Sequence, residues 1–410
     1  PGVIYSDLAF FPLYPRLVRG VLAVTPLSGG AAGLLVSWTA AAVAACGIYA
    51  VGARLHGRAV GTALVLLWGL LPHSVVLSMA YTEPVLTAFA AWSLYAVLTE
   101  RWVWAGALAT LAGLARPNGF AVAAAVLAAA AYEIWRRRGK VAHRLWTGAA
   151  LAPLGWSAYV LWVGRRRGDP LGGYFEVQRQ WGSLFDFGRG SLQFVKRMLL
   201  HGGPLVSPMT LVIVAAGVVL FALLLADRAP LPLVVHAGVL LLIAVGGSGF
   251  FESKPRFLLP AFPLLIPLAR ALVRTARARP RHATVVVGAL AGLSFCYGAY
   301  LVVIANTADD ADAYGAHVSP DPDLVTFWLA DRIDERGWGL DGDTFTVMDA
   351  LRELGRDVWF NLGDRDLAWC IERRRMLDAG RTPTQALASL SASIGVRARV
   401  LPMCDEQVRT

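Results

Sequence analysis

Near Ala305 the chain changes chemistry. Upstream of it, apolar runs of membrane-spanning length follow one another with few charges; downstream, hydropathy falls and acidic residues become frequent. A single solvent cannot suit both compositions, so the function of one part does not carry over to the other. Across all 410 residues, 56% are hydrophobic and only 16% charged, with a mean hydropathy of +0.54. These values lie outside the range of an ordinary soluble protein. The formal net charge of +10 could suit nucleic acid, but the Lys and Arg residues gather in short loops between apolar runs, where they set topology. No nucleic-acid partner is expected. Cys46, Cys296, Cys370 and Cys404 are scattered without CxxC or His-paired spacing, which points to neither a disulfide framework nor a zinc site.

A bilayer core needs roughly 20 apolar residues per helix, and about ten such runs precede the break. They lie near 30–52, 59–79, 83–99, 102–116, 119–134, 145–163, 205–226, 231–251, 257–273 and 284–304. The expected fold is therefore a polytopic α-helical membrane protein, multi-pass in the cell membrane. Alternate loops carry the positive charge, at Arg54 and Arg58, Arg101, Arg136 to Arg144, Arg228, and Arg274 to Arg281, and the excess marks the cytoplasmic side. The run Arg165 to Arg167 is the one conflict. The chain opens without Met on PGVIYSDLAFFPLYPRL, a loop-like stretch, so a segment upstream of it is expected.

The outer loops hold the unusual residues: Glu83 in AYTEP, Arg116 and Asn118 in ARPNG, and Glu252, Lys254 and Arg256 in FESKPR. Ionisable groups at the ends of apolar helices are costly unless they meet water, each other or a charged ligand. Each alone could snorkel to the interface; several on one face suggest a site. Arg116 and Arg256 suit a phosphate or diphosphate, since guanidinium pairs bidentately with phosphate oxygens. Asp7 and Glu83 are the candidate general bases for a sugar hydroxyl. The aromatic loop with Tyr174, Phe175, Trp181, Phe185 and Phe187 suits either sugar stacking or an interfacial belt.

The motifs LAFFPLYP, LSMAYTEPVLTAFA, GLARPNG and KPRFLLPAFPLL, in that order, resemble the PIG-V type mannosyltransferases over about residues 5–304. The resemblance implies a GT-C like glycosyltransferase that moves mannose from a polyprenyl-phosphate donor to a glycolipid acceptor on the outer face, with Lys254 and Asn118 beside the two arginines. The family's Trp-Asp pair, which supplies its expected catalytic base, would lie upstream of Pro1.

From about residue 305 onward, stretches such as DLVTFWLADRIDE and TFTVMDALRELG alternate with short apolar segments. This is the patterning of a soluble α/β segment. Asp309, Asp310, Asp312, Asp321 and Asp323 form either a Mg²⁺ site or a solvated acidic loop, and GDRD at Gly363 to Asp366 is a turn or helix start suited to an anion. ANTADDADAYGAHVSPDPD, RGWGLDGDTF, ALRELGRDVWFNLGDRDLA and RVLPMCDEQVRT resemble the CofD type 2-phospho-L-lactate transferases of coenzyme F-420 biosynthesis. That resemblance implies a partial Rossmann-like domain over 305–410, with Mg²⁺ on Asp309 and Asp323. It also implies a deazaflavin acceptor near Asp323 and Asn361, although Asn361 stands where the family has a basic or small residue. The family's Gly-rich phosphate loop is replaced here by the apolar SFCYGAYLVV, so the segment is expected to be weakly stable and inactive. The charge bias also places it outside, away from cytoplasmic deazaflavin. The chain is thus expected to be a fusion of two incomplete transferases, with mannose transfer as its main activity, phospho-lactyl transfer as the alternative, and a transporter as a third reading disfavoured by the lack of internal repeats.

Overall fold

A computed structural model describes residues 7–140, 142–202 and 204–305. Residues 5–299 form a unit of their own. It is built almost wholly from helices: α1 (Leu13–Val24), α2 (Gly29–His56), α3 (Arg58–Gly69), α4 (Glu83–Leu98), α5 (Trp102–Ala115), α6 (Phe120–Arg136), α7 (His143–Leu151), α8 (Leu154–Arg166) and α9 (Gly173–Gln180). After the short strand β1 (Leu184–Phe185) come α10 (Arg189–His201), α11 (Val206–Ala226) and α12 (Leu231–Gly246). The strand β2 (Gly247–Ser248), then α13 (Lys254–Leu258), α14 (Ile266–Ala278) and α15 (Pro280–Ala299) complete the order. β1 and β2 pair antiparallel, Leu184 opposite Ser248.

The expectation of about ten spans needs correction. Among the described residues, four helices are long and apolar enough to cross a membrane, Gly29–His56, Pro117–Arg136, Val206–Ala226 and Pro280–Val303, with a fifth candidate in the pair Phe251–Leu258 and Phe262–Ala278, bent by 75°. Arg58–Gly69, Glu83–Leu98, Trp102–Ala115 and Leu231–Gly246 are apolar but shorter. Proline explains much of the shortfall, because it lacks an N–H and clashes with the preceding turn. α3 stops ahead of Pro72, the 145–163 run divides at Pro153 into α7 and α8, and Pro260 and Pro263 break the 257–273 run. Among the described residues there is no Rossmann-like sheet; the expected α/β segment, 306 onward, lies outside them.

Breaks in apolar surroundings free backbone carbonyls, which need new partners. Here Trp68 Nε1 donates to the carbonyl of Leu259 at 3.0 Å, and His236 Nε2 lies 3.0 Å from that of Pro260. Both come from other helices, α3 and α12, so the bend is fixed by long-range contacts. Small residues let other helices approach closely. A Cβ on Gly106 of α5 would fall on the Gly148 carbonyl of α7, and one on Gly155 of α8 on the Thr110 carbonyl of α5. Close backbone approach of this kind drives helix association where apolar burial alone gives little. The core between α4, α5 and α6 is accordingly rich in alanine, with Ala105, Ala109, Ala112 and Ala123 buried. A second core of Ile48, Leu64, Leu94, Leu240, Phe262 and Ile266 joins α2, α3, α4, α12 and α14. By contrast, α11 and α15 leave Val212, Val219, Val285 and Phe295 exposed.

Candidate functional site

Three chain breaks bring charge to one point. Glu83 opens α4, Arg116 ends α5 in extended backbone with φ −157°, and Arg256 sits in α13 after the bend-forming segment begins. The Glu83 side chain is 1% exposed, with Arg116 Nη1 2.5 Å and Arg256 Nε 3.0 Å from its Oε1. Arg116 Nη1 also donates to Thr82 Oγ1 at 2.7 Å. Aromatic rings cover the cluster: the Arg256 guanidinium lies 5.0 Å from the Tyr81 ring centre, and both arginines lie 5.8 Å from that of Phe257.

One carboxylate against two guanidiniums leaves a surplus positive charge among side chains of low exposure. The ion pairs are close but poorly angled, since neither Glu83 oxygen nor Arg256 Nε makes a well-formed hydrogen bond. Arg116 Nε and both amide atoms of the buried Asn118 also lack a partner among the described residues. Buried polar atoms without partners are uncommon and ask for an explanation. The arrangement offers donors and positive charge to an anion, and Arg256, 28% exposed, gives it an opening.

Lys254 is placed differently. Its ammonium donates to the carbonyls of Ala244 and Gly247 at 2.6 and 2.7 Å and to Ser191 Oγ at 2.7 Å. An ammonium has three hydrogens, and all of them are engaged in tying α13 to α12, β2 and α10. Asp7 opens a short 3-10 turn, Asp7–Ala9, and the neighbouring Ala9 and Phe11 pack on Tyr159, Tyr174 and Val177. Glu252 accepts from Ser207 Oγ at 2.5 Å.

Tyr174 is buried rather than offered to a sugar. Gln178 Nε2 donates to its hydroxyl at 2.8 Å, and burial pushes the phenol above its ordinary range. Phe175, Phe185 and Phe187 remain exposed. His73, beside Pro72, is buried with neither ring nitrogen partnered among the described residues. Sequence reasoning missed Thr82, Tyr81 and Phe257 as cluster neighbours although they flank the charged residues in AYTEP and KPRF. It also missed Ser191, which no local pattern marks. Among the described residues no three His, Cys, Asp or Glu converge on a metal position. Asp309, Asp323 and Asn361 lie outside the described residues.

Part of the chain has relatives. It is 40% identical over 111 residues to a 2-phospho-L-lactate transferase of Methanosarcina mazei, covering 27% of this chain and 37% of the relative. It is 42% identical over 112 residues to a phosphoenolpyruvate transferase of Thermobifida fusca, covering 27% and 35%. A phosphoenolpyruvate transferase of Streptomyces griseus matches at 38% over 135 residues, 31% of this chain and 42% of the relative. The similarity is to transferases. The chain spans little more than a third of the length of these relatives. No protein-family model matches it, and no solved structure does.

These relatives overturn mannose transfer as the reading of the chain's function: they are named for 2-phospho-L-lactate and phosphoenolpyruvate, and a polyprenyl donor finds no support. The charges that suggested a sugar site have a simpler physical origin. Arg116 and Arg256 share Glu83 in a buried ion cluster with one positive charge in surplus, and Lys254 is used to hold the fold.

Proposed function

We propose that the chain is a multi-pass membrane protein whose segment 305–410 works as a 2-phospho-L-lactate or phosphoenolpyruvate type transferase on a deazaflavin acceptor. The observation that carries this reading is the 40% identity over 111 residues to such a transferase, a length close to that of the segment bearing the ANTADD and NLGDRDLA motifs. Asp309 and Asp323 supply carboxylate oxygens, the donor type that a hard Mg²⁺ takes; when bound, the ion neutralises phosphate charge. The family resemblance assigns Asp323 and Asn361 to orienting the deazaflavin hydroxyl. In the transfer, that hydroxyl oxygen bonds to the phosphorus of a nucleotide-activated donor, the bond to the nucleotide breaks, and the hydroxyl proton passes to solvent. The test is a transfer assay on the full chain in detergent micelles with Mg²⁺ and the deazaflavin. Wild type is expected to turn over and Asp323→Ala to lose at least about 10–100-fold, the range for disturbing a metal site. No transfer by the unmutated chain rejects the reading.

A second site is favoured by the surplus guanidinium beside Glu83: Arg116 and Arg256 hold a phosphate-type anion. Pyrophosphate is expected to raise the melting temperature of wild type and not of Arg116→Ala. Equal protection of both rejects the role of Arg116.

A further inference from the structure

Helix α10 presents two unlike faces. Inward, Phe194 stacks on Phe251 with ring centres 4.5 Å apart, and Ser191 donates to the Gly247 carbonyl at 2.9 Å while accepting from Lys254. Its start is held by Asp186, whose carboxylate accepts from the backbone N–H of Gly188 at 3.0 Å and of Gly190 at 2.7 Å. Outward, Leu192, Leu199 and Leu200 are 72%, 73% and 67% exposed. Exposed Arg189 and Lys196 stand three or four residues from these leucines along the helix, on the same side. Phe187, just before the helix, is 86% exposed. The helix sequence, RGSLQFVKRMLLH, holds no acidic residue.

Two further facts limit what can cover this face. The helix is anchored at its N-terminus, so it is no loose strap. Its C-terminal end is joined through residues 202–205 to α11, a helix apolar enough to cross a membrane, and four residues span at most about 14 Å. If α11 crosses, α10 ends near the level where the bilayer begins. Leucines interspersed with cations on one face at that level match acyl chains, reached by the leucines, and anionic head groups, reached by the longer Arg and Lys side chains.

We propose that α10 lies in the membrane interface, with Leu192, Leu199 and Leu200 among the acyl chains and Arg189 and Lys196 on anionic lipid head groups. The proposal rests on the membrane reading above. Through Ser191 and Lys254 the same helix braces the segment that carries Arg256, so lipid contact fixes the height of the Glu83 cluster relative to the bilayer surface.

The test uses the full chain with its native cysteines replaced by Ser, reconstituted into bilayers of equal parts phosphatidylcholine and phosphatidylglycerol. Single spin labels go on Leu199→Cys, on Lys140→Cys in the exposed loop after α6 and, in α11, on Val219→Cys, and collision with oxygen and with a water-soluble nickel chelate is measured. The expected result is several-fold less nickel collision, with high oxygen collision, at 199 and 219 than at 140. Lys196→Glu is expected to raise nickel collision at 199 in these bilayers and to have a smaller effect in phosphatidylcholine alone. A nickel-accessible label at 199 with a shielded one at 219 overturns the proposal and leaves the membrane reading standing. Nickel access at 219 overturns both. Low collision with both reagents at 199 means that protein covers the leucines, which also overturns the proposal, and an equal effect of Lys196→Glu in the two lipids overturns the head-group contact.

Discussion

Lys254 and Arg256 are two residues apart on α13, yet their surroundings treat charge in opposite ways. Around Lys254, two carbonyls and a hydroxyl take all three ammonium hydrogens, and the charge is closed off. Around Arg256, one carboxylate serves two guanidiniums, neither carboxylate oxygen makes a well-formed hydrogen bond among the described residues, and Arg256 itself stays 28% exposed. The first arrangement holds backbone in place. The second leaves positive charge that an anion could meet. Burial alone therefore does not identify a binding site; what distinguishes the two is whether the donors are already satisfied.

The largest expected effect tests the incomplete side. Glu83→Ala removes the carboxylate that Arg116 and Arg256 share, and breaking a buried ion pair from one side costs about 3–5 kcal/mol. Thermal unfolding in detergent should show that loss, and pyrophosphate should restore part of it by supplying the missing negative charge. A variant that melts with wild type would mean that the arginines are solvated and that the cluster stores no uncompensated charge.

Lys254→Met sharpens the other side. It leaves two carbonyls and a hydroxyl without their donor, and charge-assisted hydrogen bonds contribute about 1.5–3 kcal/mol each at most, so a loss of about 2–3 kcal/mol is expected with the thioether filling part of the space. Pyrophosphate should protect this variant no more than it protects wild type. Protection well beyond that of wild type would show that the Lys254 cage and the Glu83 cluster are one site, and the contrast between them would fail.

Much of this was legible in the sequence, for identifiable reasons. α2, α6, α11 and α15 come from long apolar runs that no internal proline divides, which hydropathy detects directly. The divided run at 257–273 was not legible, because the carbonyls freed around Pro260 are taken up by Trp68 and His236, which lie far away in the chain. Glu83, Arg116 and Arg256 could be picked out because ionisable groups beside apolar helices are costly wherever they occur. Lys254 followed the same rule with a different outcome. Nothing in KPRF tells that its partners are the carbonyls of Ala244 and Gly247 and the hydroxyl of Ser191, 63 residues earlier.

The smallest expected effect separates the two arrangements most cleanly. Asn118 is 7% exposed, and neither amide atom has a partner among the described residues, so the desolvation cost of the amide is already carried by the folded state. Truncating a buried polar group that makes no hydrogen bond removes that cost along with some packing, and the two effects oppose each other at about 1 kcal/mol each. Asn118→Ala is therefore expected to melt within about 1 kcal/mol of wild type while losing part of the protection given by pyrophosphate. Were Lys254 treated the same way, stability would fall while pyrophosphate protection stayed, because its hydrogen bonds serve the fold. A clear loss of stability in Asn118→Ala with pyrophosphate protection intact would place the amide with the structural group, and the incomplete site would shrink to the two guanidiniums and their shared carboxylate.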